Sequence, residues 1–177
     1  MRLQLIICVE TNEESKSDWM YINETIKFFY KIDNSRIKLS PVYMRGKGNY
    51  ASSRVKKEIE SKIKQFMAGS KEESKTIVLY AFDTDDFKSK PEDIVFLEEV
   101  RKYTSSKGYK LVWFCKDIEQ VYLGRQIENH EKTKEAIRFV SNKKIKSLVT
   151  SKFRASKMNE GKSNIIAILD EVFEEDN

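Results

Sequence analysis

The stretch IVLYAFDTDD, residues 77–86, sets an apolar run directly against three carboxylates, Asp83, Asp85 and Asp86. Ile77, Val78, Leu79 and Tyr80 belong inside a fold, and residues 75–82 read as a strand. The acids that follow repel one another, and each ionised carboxylate is costly to desolvate without a counter-charge. Two readings account for them: a solvated turn after the strand, or a group of ligands around a divalent cation.

Outward from this strand the periodicity alternates. Residues 2–9 form a first β-rich run, and Ile22, Ile26, Phe29 and Tyr30 repeat at helical spacing between 18 and 32. Residues 36–44 alternate as a half-exposed strand, with Pro41 placing it at an edge or a bulge. Val55, Ile59, Ile63, Phe66 and Met67 mark a helix opened by Ser52 or Ser53 and closed by Gly69. A third helix spans 93–106, Gly108 ends it, and 109–115 is the next strand. Beyond it, 117–127, 131–141 and 160–175 read as helices, the last with the stripe Ile165, Ile168, Leu169, Val172 and Phe173. The order β-α-β-α-β-α-β followed by helices predicts an α/β fold with a mostly parallel sheet flanked by helices. Its expected organisation is an α/β core over 1–116 and a helical C-terminal extension over 117–177 packed on that core.

The 177 residues are 40% hydrophobic and 34% charged, with a net charge of +5. Apolar residues in periodic groups can build a core, and no apolar run is long enough to span a bilayer. The opening MRLQLIICVE lacks the apolar core and small-residue cleavage site of a signal peptide, so the expectation is a cytoplasmic protein with no membrane partner. Cys8 and Cys115 sit in apolar runs and read as buried thiols. Two separated cysteines and the single His130 cannot furnish a four-ligand zinc site, and His130 lies in a charged stretch that reads as exposed. The modest positive excess suits a nucleic-acid partner.

In open parallel sheets, ligands gather at the carboxyl ends of strands. Glu10 ends the first predicted strand; Asp83 and Asp85 end the third. If those strands are neighbours, the three acids meet in one crevice. Carboxylate oxygens are natural ligands for Mg²⁺ or Mn²⁺, which take one or two acids together with substrate phosphate. Asp86 and Glu119 are candidates for a further ion.

ICVE at 7–10, a helix, and LYAFDTD at 79–85 together resemble the Toprim pattern, a strand ending in glutamate and a later strand ending in Asp-x-Asp. Toprim domains are the catalytic modules of topoisomerases, DnaG-type primases and OLD-family nucleases. The chain is similar in particular to the small OLD-like and RloB-like Toprim proteins of bacterial phage-defence systems. Ser17-Asp18-x-x-Tyr21 stands for their Thr-Glu-x-x-Tyr, and Ile118-Glu119-Gln120-Val121-Tyr122-Leu123 for their late Phe-Glu-x-Trp-Leu-Leu motif. Thr11 replaces the glycine after the glutamate, and Arg125 stands where those proteins carry histidine. The resemblance implies a Rossmannoid sheet and Mg²⁺-dependent phosphodiester chemistry, with Glu10, Asp83 and Asp85 as its catalytic and metal-binding residues.

Two basic stretches would hold a phosphodiester. In RGKGNYASSR (45–54), Arg45, Lys47 and Arg54 surround two glycines between a strand and a helix, where a backbone can approach phosphate. In KKIKSLVTSKFRASK (143–157), Lys143, Lys144, Lys146, Lys152, Arg154 and Lys157 occur without an acid. Phe153 lies between two of these cations, in position to stack on an unpaired base of DNA or RNA. Each stretch has an alternative reading as a solvated loop or helix. Function is therefore expected to be that of a Mg²⁺-dependent Toprim-type nuclease or a related phosphodiester-processing protein. The alternative is a non-catalytic Toprim-like subunit acting with a protein partner such as an ATPase.

Overall fold

Eight consecutive residues of β1 (Arg2–Val9) are almost wholly buried, and their alternate side chains enter two separate cores. In the computed structural model, which describes residues 1–69 and 72–174, β1 lies inside a parallel sheet. It pairs with β2 (Ile37–Tyr43) on one side and β3 (Ser74–Asp83) on the other. β4 (Lys110–Phe114) pairs with the outer edge of β3, giving the order β2-β1-β3-β4 among the described residues. A strand covered on both faces cannot alternate between polar and apolar, which is why IVLY reads as an unbroken run.

The even-numbered residues Ile6 and Cys8 join Val78, Tyr80 and Phe82 in a core closed by α2 (Ser53–Ala68) and α3 (Pro91–Ser106). Leu3, Leu5, Ile7 and Val9 face the other way, against Tyr21, Ile22 and Ile26 of α1 (Ser17–Phe29). The C-terminal residues complete this second core. They bring α4 (Ile118–Leu123), α5 (Lys132–Ser141) and α6 (Ile165–Glu174), with Val121, Phe139 and Leu169 among the buried side chains. Tyr21 stacks on Tyr122 with ring centroids 4.9 Å apart, tying α1 to α4. Residues 117–174 thus share one hydrophobic core with β1 rather than forming a core of their own.

Most expected elements appear with their ends set by local chemistry. The Ser52 hydroxyl accepts the Val55 N–H and caps α2, which ends at Gly69. β2 is an edge strand, consistent with Pro41. The departures lie in the C-terminal third. The helix expected over 117–127 stops after Leu123, because Gly124 takes a left-handed conformation (φ 72°). The helix expected from 160 begins only at Ile165, because 161–164 serve as a cover for the free edge of β4. There Cys115 N–H donates to the Lys162 carbonyl (2.9 Å) and Trp113 N–H to Asn164 Oδ1 (2.9 Å). Asn164 Nδ2 returns a bond to the Leu111 carbonyl (2.9 Å), so a side-chain amide stands in for a fifth strand. Residue 175, the expected end of the last helix, and residues 176 and 177 of the acidic tail lie outside the described residues.

Candidate metal centre and nucleic-acid interface

The pairing of β1 with β3 puts their carboxyl ends side by side, and the backbone itself joins the two acids. Asp83 N–H donates to Glu10 Oε1 at 2.8 Å. Asp83 Oδ1 accepts the Ile118 N–H at 2.9 Å, which orients the carboxylate toward the start of α4. Asp117 caps the same helix by accepting the Gln120 N–H at 2.7 Å. Asp18, in the first turn of α1, comes in from the other side and accepts the Thr11 N–H at 3.3 Å. Glu119 is fully buried in the first turn of α4.

These groups share an electrostatic burden. Burial pushes the Glu10 carboxyl up to about 8, helped by the charges of Asp18 and Asp85 and opposed by the Asp83 N–H. Asp83 is driven well above the usual carboxylate range by burial and then by Glu10, Asp18 and Glu119. Asp18 is raised by burial against its hydrogen bond to Thr11. Glu119 is raised by burial and held down by Lys132, whose Nζ lies 3.0 Å from Oε2. That contact is an ion pair without hydrogen-bond alignment, and both buried oxygens of Glu119 lack a well-aligned donor among the described residues. Burial works against the charge on Lys132, but Glu119, Asp83 and Asp117 outweigh it and keep the ammonium protonated. Asp18, Asp83 and Glu119 thus lean on Lys132 while Glu10 is eased by Lys47, and such perturbed groups at strand ends mark a functional-site candidate.

Asp85 and Asp86 face elsewhere. Asp85 adopts a left-handed conformation (φ 48°), and its N–H donates to the Lys116 carbonyl at 2.8 Å. Its carboxylate is taken by the Lys47 ammonium, which also contacts Asp93 at 3.1 Å. Asp86 pairs with Lys90 at 2.9 Å and stands 3.8 Å from Lys116, and these charges hold its carboxyl below the usual range. A polar cavity of about 290 Å³ opens here, with Lys47, Asp85, Asp86, Lys90, Asp93 and Lys116 among its lining residues. Glu119 is paired with Lys132 and Asp86 with Lys90, and no metal-holding group among the described residues unites these two acids expected as candidates for a further ion.

The donor set fits a hard divalent cation in chemistry: all oxygen, several carboxylates, and one counter-cation. Its arrangement is open. Among the described residues, no three of the His, Cys, Asp and Glu side chains stand close enough to hold one ion.

The basic residues divide into paired and free. Arg45 forms a two-pronged pair with Glu13 (3.0 and 2.9 Å), and Arg54 donates to the carbonyls of Tyr43 and Met44 (both 2.8 Å). The three cations of the 45–54 loop therefore already have acceptors within the chain. In the second stretch, Arg154 pairs with Asp170 at 2.9 Å, and Lys152 is half-buried with its ammonium lowered by that burial. Phe153 requires a correction: it is 1% exposed and packs on Tyr122 with centroids 4.9 Å apart, so it is core and does not stack on bases. Val149, which the apolar pattern of 145–149 would turn inward, is instead 66% exposed. Lys143, Lys144, Lys146 and Lys157 are exposed, carry no ion pair among the described residues, and form the free positive surface of this segment. Sequence reasoning gave Asp18 no site role, although an acid opening the helix after a Glu-terminated strand was a usable signal. Lys132 and Asp93 had no signal of their own, since only packing brings them to the site.

Both cysteines are buried free thiols, and His130 is exposed in a short 3₁₀ turn, Asn129–Glu131. No described helix is long and apolar enough to cross a membrane. Comparison of the chain with known protein families, with curated proteins and with solved structures gave no match.

Proposed function

We propose that the chain is a Toprim-like, divalent-cation-dependent protein that processes phosphodiesters in nucleic acid. The observation that carries the reading is the Glu10–Asp83 junction, where neighbouring strand ends carry two under-neutralised carboxylates and the Asp83 backbone N–H donates to the Glu10 carboxylate at 2.8 Å. Glu10 and Asp83 would hold Mg²⁺ or Mn²⁺, and Asp85, whose carboxylate is taken by Lys47, would have to turn to join them. A bound ion supplies Lewis-acid polarisation of the phosphate and a more acidic water. The chain's own residues supply the rest. Where Asp83 holds the ion without Glu10, Glu10 at the adjoining strand end would instead act as the base that accepts a proton from an attacking water. The Ile118 N–H fixes the Asp83 carboxylate, and Lys132 limits the repulsion behind it. Lys143, Lys144, Lys146 and Lys157 offer the strand its phosphate contacts.

A second reading, a non-catalytic subunit working with a protein partner such as an ATPase, is favoured by the absence of any close set of three ligands among the described residues. One experiment separates the two. Wild type and Asp83→Asn are melted with and without Mg²⁺ and assayed for cleavage of single-stranded and structured DNA and RNA. The enzyme reading requires Mg²⁺ to raise the wild-type melting point, since an ion that binds only the folded state stabilises it. It also requires Asp83→Asn to fold and lose both the shift and the cleavage. Metal binding without cleavage by wild type would leave the subunit reading, and no effect of Mg²⁺ on either protein would reduce the acids to a solvated turn.

A further inference from the structure

A groove of about 440 Å³ lies between α1 and the edge strand β2. Trp19, Asn23 and Lys27 line it at intervals of four residues, so they form one row along α1, about 12 Å long at 1.5 Å per residue. Ile37 and Leu39 of β2 give it an apolar floor and pack, with Trp19, against the core beneath. Lys38 stands exposed on the same strand, and no described Asp or Glu lines the groove. Arg2 also belongs to the lining, with its guanidinium held over the Phe66 ring.

The polar side chains of this groove are uncommitted. Among the described residues, Trp19, Asn23, Lys27 and Lys38 make no side-chain hydrogen bond or ion pair. Arg45, Lys47 and Arg54, by contrast, are all satisfied within the chain. The strand edge adds a backbone donor. Leu3 N–H donates to the Arg36 carbonyl (2.9 Å) and Met44 N–H to the Val9 carbonyl (2.8 Å), which turns the even-numbered peptides of β2 toward β1. The Leu39 N–H therefore faces the open edge. The next outward position is Pro41, which has no N–H, so the edge is poorly suited to pairing with a peptide strand. Free cations, an aromatic face and amide groups without an acid suit an unpaired base with its flanking phosphates. One end of the groove also adjoins the candidate centre, since Asp18, next to Trp19, accepts the N–H of Thr11 beside Glu10.

We propose that this groove binds single-stranded nucleic acid, with a base stacked on the Trp19 indole and adjoining phosphates held by Lys27 and Lys38. The inference rests on the function proposed above for its nucleic-acid partner alone; neither an ion nor cleavage enters it. No residue of 143–157 lines the groove, so its contribution is separable from that of the free lysines there.

The test is fluorescence anisotropy of a short labelled oligothymidylate with the full chain, in chelator and across a salt series, each fold being verified by circular dichroism. Trp19→Ala should weaken binding about tenfold, the worth of one stacked base, and Trp19→Phe should restore most of it. Lys27→Gln combined with Lys38→Gln should lower the logarithmic salt slope by about 1.4, which is about 0.7 for each of two phosphates. Asn23→Glu places a carboxylate in the groove and forms an i,i+4 pair with Lys27, so it should weaken binding while keeping the helix. It serves in place of Trp19→Ala if that variant does not fold. Wild-type affinity in Trp19→Ala, a phenylalanine variant as weak as alanine, or an unchanged salt slope in the lysine pair overturns the inference. Displacement of the oligonucleotide by poly-glutamate at equal charge also overturns it, in favour of an acidic peptide. Loss of binding confined to the joint alanine variant of Lys143, Lys144, Lys146 and Lys157 overturns the groove and leaves the proposed function standing. Failure of every protein to bind the oligonucleotide overturns both.

Discussion

Replacing Glu10 by glutamine should stabilise the metal-free protein by an amount that grows with pH. Glu10 is part-buried, and its carboxyl is raised from 4.5 to about 8. Between those values the folded state keeps a proton that the unfolded chain has released. Wild-type stability therefore falls as pH rises through this window, by about 1.4 kcal/mol per pH unit for a group titrating alone. The whole window corresponds to an upper limit of about 5 kcal/mol. Asp83 and Asp18 ionise more readily once Glu10 is neutral and take up part of the repulsion, so the expected gain above pH 8 is about 2–3 kcal/mol. Glutamine retains an oxygen to accept the Asp83 N–H, which leaves the two proteins nearly equal in stability near the low end of the window. Urea unfolding in the presence of a chelator, at unit steps of pH across the window, measures the difference. A pH-independent difference, or a destabilised variant at the alkaline end, would refute the claim that Glu10 is held in a crowded, desolvated site.

Two further outcomes follow from the basic segment. Changing Lys143, Lys144, Lys146 and Lys157 together to alanine should weaken binding of a single-stranded oligonucleotide and flatten its salt dependence, by about 0.7 in logarithmic slope for each phosphate no longer neutralised. Fluorescence anisotropy across a salt series reads this, and an unchanged slope would assign the lysines to a solvated face. Phe153→Ala should instead act on the fold, costing about 3–5 kcal/mol as a large buried aromatic is removed. Chemical unfolding measures that loss, and a fully stable variant with weakened oligonucleotide binding would restore Phe153 as a base contact.

The α/β order was legible because each element carries its own signal. The unbroken apolar run of 77–82 needs cover on both faces, Ser52 and Gly69 bracket α2, and the first helix keeps its stripe of Ile22 and Ile26. The C-terminal third was less legible, because its ends depend on distant partners. Asn164 leaves helical use to bond with the edge of β4, and nothing within 160–164 announces that edge. Phe153 misled for a related reason: flanking cations describe its neighbours in sequence, whereas its burial is decided by Tyr122 on α4. At the site, the strand-end rule brought out Glu10 and Asp83, whose strands are adjacent. Asp85 follows the same rule but is diverted by Lys47, a pairing that spans 38 positions of sequence and that no local pattern encodes. Lys132 is hidden in the same way, since its role exists only once α5 packs beside α4.

Whether the ends of β1 and β3 form a cation site is decided most simply by anomalous diffraction from crystals of the wild-type protein soaked in Mn²⁺. One anomalous peak is expected between the carboxylates of Glu10 and Asp83, and it should vanish in Asp83→Asn crystals grown and soaked identically. Density at that junction without an anomalous peak, or a peak confined to Asp86 and Asp93 in the neighbouring cavity, would rule the site out.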